Sequence, residues 1–173
     1  MAFTLYAATI PSYLQILESV SRLIDKAESF CSEKGLEPEA VIQARLADDM
    51  LPFAYQVKSA TVHSIGAIEG ARKGVFSPDM STPPATFDAL RERVAEAVAA
   101  LKAVDPDEME SFIGREMRFE FGTHSMDFRA EEFLLSFSQP NFYFHAATAY
   151  DILRMKGVEI GKRDFNGRVR KLV

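Results

Sequence analysis

Apolar residues recur at three- and four-residue steps along the first segment of the chain, from about Leu5 to Lys34. Ile10, Tyr13, Leu14, Leu17, Val20, Leu23, Ile24 and Ala27 share one side, which is the stripe of an amphipathic helix. Pro11 falls within the first turns, so the regular helix starts at Ser12 or bends there. Gly35 is its stop. Pro38 opens a short helical piece to about Ala44. A second stripe runs from about Asp48 to Lys73 through Met50, Phe53, Ala54, Val57, Ala60, Thr61, Ser64, Ile68 and Ala71. Pro52 fits only a first turn, which places this helix start close to Asp49 or Met50. Gly66 and Gly70 let a neighbouring element approach closely, at some cost in helicity.

The segment from Phe76 to Pro84 is rich in proline and serine and reads as a loop. Thr86 then caps a third helix, with Asp88 in its first turn. Phe87, Leu90, Val94, Ala97, Val98 and Leu101 are its apolar face, and Pro106 ends it. Met117 to Phe121 alternates apolar and charged residues, and Gly122 to Ser125 separates it from Met126-Asp127-Phe128. This predicts a β-hairpin across one end of the molecule. Helical spacing returns from Ala130 to Phe137 and breaks before Pro140. A last long helix spans about Pro140 to Lys156, with Phe142, Ala146, Ala149, Ile152 and Leu153 inward and Gly157 as its stop. The stretch from Gly161 to Gly167 is polar and turn-rich. Four long amphipathic helices in one domain, residues 1–173, predict a mainly α four-helix bundle with a short hairpin before the last helix.

Composition adjusts this picture in three ways. A hydrophobic fraction of 47% and a charged fraction of 26% are globular values. The net charge of −5 opposes a nucleic-acid partner, because phosphate binding needs a basic face, and weakens any case for anionic membranes. The single cysteine, Cys31, can form no intrachain disulfide and reads as a small buried hydrophobe. The N-terminus lacks the basic start and apolar run of a signal peptide, so the expected location is cytoplasmic.

The candidate chemistry is sparse. Of three histidines, His124 falls in the hairpin turn, while His63 and His145 sit on long predicted helices. His145 interrupts the apolar stripe of the last helix between Phe142 and Ala149. A helix-borne metal site needs a second ligand three or four residues away on the same face, and Thr148 and Ala149 do not supply one. Zinc or nickel held by His63 and His145 therefore depends on the tertiary fold, and the simpler expectation is a core histidine with no metal or cofactor. Gln56 lies seven residues before His63 on the same side and adds a polar spot. The pairs Asp48-Asp49 and Glu131-Glu132 diverge around a helix and do not share a proton. There is no phosphate loop and no serine nucleophile elbow. Lys162, Arg163, Arg168, Arg170 and Lys171 form a small basic tail that suits either a bound anion or intramolecular pairing. The aromatic run Phe142-Tyr143-Phe144 exceeds what one core face needs, so some rings should meet another element, a ligand or a partner subunit.

Several segments together resemble a bacterial family of unknown function within the DinB/YfiT-like superfamily, which includes metalloenzymes. They are Leu51-Pro52-Phe53 with Gln56-Val57, Pro140 to His145, Ala149 to Arg154, and Gly157-Val158 with Ile160 to Phe165. The resemblance covers nearly the whole chain. It implies an up-down-down-up bundle and a homodimer. Superfamily members hold a divalent metal with one histidine of the second helix and a His-x-x-x-His pair of the fourth. Here those positions fall near Gln56, Phe144 and Thr148, with His145 one residue out of register. The expectation is a non-metal, dimeric binding or interaction protein with a small-molecule ligand and pocket candidates Gln56, His63, Tyr143, His145 and Tyr150. The alternative is a divergent enzyme, of thiol-dependent transferase or metal-assisted hydrolase class, with its pocket around His145.

Overall fold

A computed structural model describes residues 3–172. Helix α1 runs from Leu5 to Lys34, with the Thr4 hydroxyl accepting from the Ala7 amide and Gly35 closing it at φ 63°. Pro11 lies inside the helix without ending it. After the short α2, Glu39–Ile42, the chain turns and enters α3, Phe53–Thr61, which continues through a π-helical turn, Val62–Gly66, into α4, Ala67–Lys73. The helix start is later than the spacing predicts. Pro52 is extended, at φ −73° and ψ 169°, and the Phe53 amide bonds the Ala44 carbonyl at 2.9 Å, so residues 48–51 stay outside the rod.

The chain then returns along this rod before the third long helix begins. Lys58 is fully buried, and its ammonium donates to the Asp79 carboxylate at 3.1 Å and to the Asp79 carbonyl at 2.7 Å. A buried ammonium persists only when paired and hydrogen-bonded, so this contact fixes the loop after β1, Val75–Phe76, against α3. Helix α5, Phe87–Lys102, capped by Thr86, consequently runs beside the α3–α4 rod in the same direction. Pro106 does more than end it, because it opens a further short helix, α6, Pro106–Ser111, capped by Asp105.

The hairpin is β2, Glu116–Phe121, paired antiparallel with β3, His124–Arg129, around Gly122. Strand β1 adds to it in parallel, Val75 opposite Arg118, a pairing too short to read from alternation. The inward side chains Phe119 and Phe128 lie against Phe133 and Phe137, with ring centroids 5.0 to 5.8 Å apart. The last helix is longer than predicted. Chain from Ala130 is helical through α7, Ala130–Glu132, a second π-turn, Phe133–Ser138, and α8, Gln139–Met155. Pro140 does not break it. The wider π-turn just before Pro140 relaxes the ladder at the missing N–H, and the Asn141 side chain takes the Phe137 carbonyl at 2.7 Å.

The polar tail forms α9, Lys162–Asn166, which packs on α1. The result is a mainly helical, up-down-down-up bundle around one continuous core. Phe142 is at its centre, edge-on to Tyr13 at 4.7 Å. No described helix is long and apolar enough to cross a membrane.

The two glycines of the second rod differ in role. A Cβ on Gly70 would stand 2.9 Å from the Phe76 Cβ and 3.3 Å from the Val75 carbonyl, whereas one on Gly66 would make ordinary contacts with Val62 at 3.7 Å and the Thr61 carbonyl at 4.0 Å. Close approach therefore involves Gly70 and strand β1, and Gly66 takes no part in it. Alanine gains up to about 1 kcal/mol of helix propensity at either site, but overpacking costs about 1–3 kcal/mol. Gly70→Ala should lower the denaturant midpoint and Gly66→Ala should raise it, as equilibrium urea unfolding would show.

Candidate functional site

Gln56 and His63 lie on one side of the second rod because seven residues make two turns. His145 faces them from α8. Its Nδ1 is 2.7 Å from Gln56 Oε1, and Gln56 Nε2 donates to the Leu51 carbonyl at 2.8 Å. The second bond fixes the amide, leaving Oε1 as an acceptor, so His145 carries its proton on Nδ1. Across the seam, Ser138 Oγ donates to the His63 carbonyl at 3.1 Å and lies 3.2 Å from His63 Nδ1. The serine proton is committed to a carbonyl that can only accept, so His63 Nδ1 must donate to the serine oxygen. Both imidazoles thus have Nδ1–H engaged and Nε2 left as a bare lone pair. The rings lie nearly parallel, 17° apart with centroids at 5.6 Å.

Burial pushes both histidines down to about 4, and for His63 the neighbouring His145 adds to the effect. Both are therefore neutral at pH 7. Aromatic rings surround the pair. Phe144 and Tyr55 meet His145 edge-on at 5.4 and 6.1 Å, and Phe76 and Phe137 flank His63 at 5.5 and 6.2 Å. The Lys58 ammonium sits 5.9 Å from the centre of the Tyr55 ring.

The structure brings together three of the five pocket candidates. Tyr143 lies on another side of α8 against Phe142, and Tyr150 meets Phe165 of α9 at 5.9 Å. Ser138 and Tyr55 join the group, and no sequence pattern marks them. Ser138 belongs to no apolar period, and only knowledge of the π-turn places it opposite His63. Glu131 serves structure by accepting from the Gly114 amide at 2.8 Å. Of the basic tail, Arg170 pairs within the chain, donating to the Pro11 carbonyl and Gln15, while the acidic Asp164 of α9 meets Lys26 of α1 at 2.8 Å. Cys31 is buried on α1, and burial raises its thiol.

The family model described as a domain of unknown function (DUF1993) matches residues 5–166. The chain belongs to the DUF1993 family. The crystal structure of a DinB family member protein from Shewanella denitrificans superimposes with a TM-score of 0.81 at 25% identity, covering 98% of this chain and 95% of that one. No curated protein matches. Fold and family together place this DUF1993 member among DinB-like proteins.

A divalent metal of the kind this superfamily implies can be tested against the residues present. His63 and His145 offer two ring nitrogens, each oriented by a second partner as metal-bound imidazoles are. A catalytic zinc site takes three protein ligands, and no group of three His, Cys, Asp or Glu is gathered anywhere among the described residues. Gln56 Oε1 is already used by His145. Of the other two positions, Phe144 is more than half exposed and Thr148 is buried. The donor set does not fit a three-ligand centre.

The lowered histidines make a pH prediction for this DUF1993 member. As pH falls from 6.5, the unfolded chain takes up protons that folded His63 refuses until about 4. Stability is therefore complete above pH 6.5 and declines towards pH 4, by up to about 3 kcal/mol for His63 and less for the more exposed His145. Urea midpoints measured from pH 7.5 to 4.5 should fall, and His63→Asn, which keeps a donor for Ser138, should flatten that fall.

Proposed function

We propose that this DUF1993 member is a metal-free, homodimeric ligand-binding protein, and that the bare Nε2 atoms of His63 and His145 receive N–H or O–H donors of a small molecule. The observation that carries this reading is the engagement of both Nδ1 atoms, His63 with Ser138 and His145 with Gln56. Such fixed lone pairs, ringed by Tyr55, Phe144, Phe137 and Phe76, favour a flat or partly apolar ligand with more than one donor.

Acid–base catalysis fits less well. A general base works best with its pKa near the working pH, and both rings sit far below it at about 4. A thiol-dependent transfer through the chain's own cysteine is also disfavoured, because Cys31 is buried on α1. The dimer reading draws support from the apolar rim of the site, where Phe144 is 55% and Leu51 45% exposed; a second copy would cover both.

Protein purified without a histidine tag should contain well under about 0.1 zinc or nickel per chain by elemental analysis. Sedimentation equilibrium should give a dimer, weakened by Phe144→Asp. Ligands found by thermal-shift screening of a metabolite panel should lose about tenfold or more in affinity in His145→Phe, while Tyr150→Phe leaves them unchanged. Metal at one per chain, released by His145→Ala, would contradict the proposal.

A further inference from the structure

On the far side of the same π-turn, a cleft of about 400 Å³ opens between the second rod and α5. That volume is in the range of small-molecule sites. Its floor is aliphatic, made by Val62, Ile65 and Ala97, and its charged groups are Arg93, Glu96, Glu69 and Lys73 together with Asp79.

The charges are not mutually satisfied. Asp79 is shared by two cations, Lys58 at 3.1 Å and Arg93 at 3.0 Å. One carboxylate against two cations leaves one net positive charge at that end. Lys58 is fully buried, so the surplus is expressed at Arg93. Arg93 is held rigid: its Nε donates to Thr61 Oγ1 at 3.1 Å and its Nη2 to Asp79. Its Nη1 makes no hydrogen bond to any described residue, although a guanidinium offers a planar fork matched to a carboxylate. Glu96 and Glu69 have no ion-pair partner among the described residues either. Glu96 follows Arg93 by three positions on α5, about 4.5 Å along the axis.

We propose that this cleft binds a small aliphatic zwitterion, of the amino-acid or short-peptide class. Its carboxylate meets the Nη1 edge of Arg93, its ammonium lies between Glu96 and Glu69, and its side chain rests on Val62, Ile65 and Ala97. A simple anion would face the two glutamates, and a simple amine would face Arg93. A zwitterion satisfies both ends.

The test uses the full chain, followed through the Gly66 amide and Ile65 methyl resonances. The probes are L-leucine, glycyl-L-leucine, isocaproate, which lacks the ammonium, and isoamylamine, which lacks the carboxylate. At least one zwitterion should shift both resonances saturably, binding about tenfold or more tightly than either analogue. The Glu96 side chain bonds no other described residue, so Glu96→Gln should fold normally and reduce zwitterion affinity to that of isocaproate. The proposal is overturned if neither zwitterion shifts these resonances at up to about 10 mM, a range that reaches millimolar binding. It is equally overturned if the analogues bind as well, or if Glu96→Gln has no effect on zwitterion affinity.

Discussion

Ser138 and His63 bond each other twice across the seam between the second rod and α8, side chain to side chain and side chain to carbonyl. Each residue lies in a π-helical turn of its own rod. A π-turn admits one extra residue and rotates everything beyond it relative to a regular helix. Without the turn in the second rod, Gln56 and His63 would still share a side, but His63 would not present its own carbonyl to a facing hydroxyl. Without the turn before α8, Pro140 would break the helix and His145 would lose its support. The His63 tautomer follows from this contact, while Gln56 sets that of His145 and burial lowers both rings.

Much of the fold was legible because it rests on periodicity. The stripes of α1 and α5, the Thr86 cap and the alternation of Met117 to Phe121 come directly from side chains that must be buried on one face. The failures sit where local rules were overruled. Pro52 looked like a first-turn residue but lies just outside the helix, because the Ala44 carbonyl holds the Phe53 amide. Pro140 looked like a break but follows a π-turn that absorbs it. Strand β1 is two residues long and is defined by its partner. At the site, His145 and Gln56 were visible as polar interruptions of apolar stripes, whereas Ser138 was not, since one serine in a phenylalanine-rich stretch carries no period. Tyr143 and Tyr150 were drawn in by their place near His145 in sequence, although helical rotation sends them to other faces.

The second rod has a different chemistry on each side of its π-turn. One side presents neutral nitrogen acceptors among aromatic rings. The other presents a charged cleft whose buried Lys58 also pins the loop returning to α5. The same few residues therefore set the topology of the bundle and the chemistry of both sides of the rod. Gln56 holds the His145 proton in place.

The central claim is that His63 and His145 are both neutral, with protons on Nδ1 and bare Nε2 atoms. Long-range proton–nitrogen correlation spectra of the imidazole rings at pH 7 read this directly. The account requires a protonated Nδ1 and an unprotonated Nε2 in both rings, with Ser138→Ala altering His63 and Gln56→Leu altering His145. A proton on Nε2 of either ring, or a charged imidazolium at that pH, would contradict it.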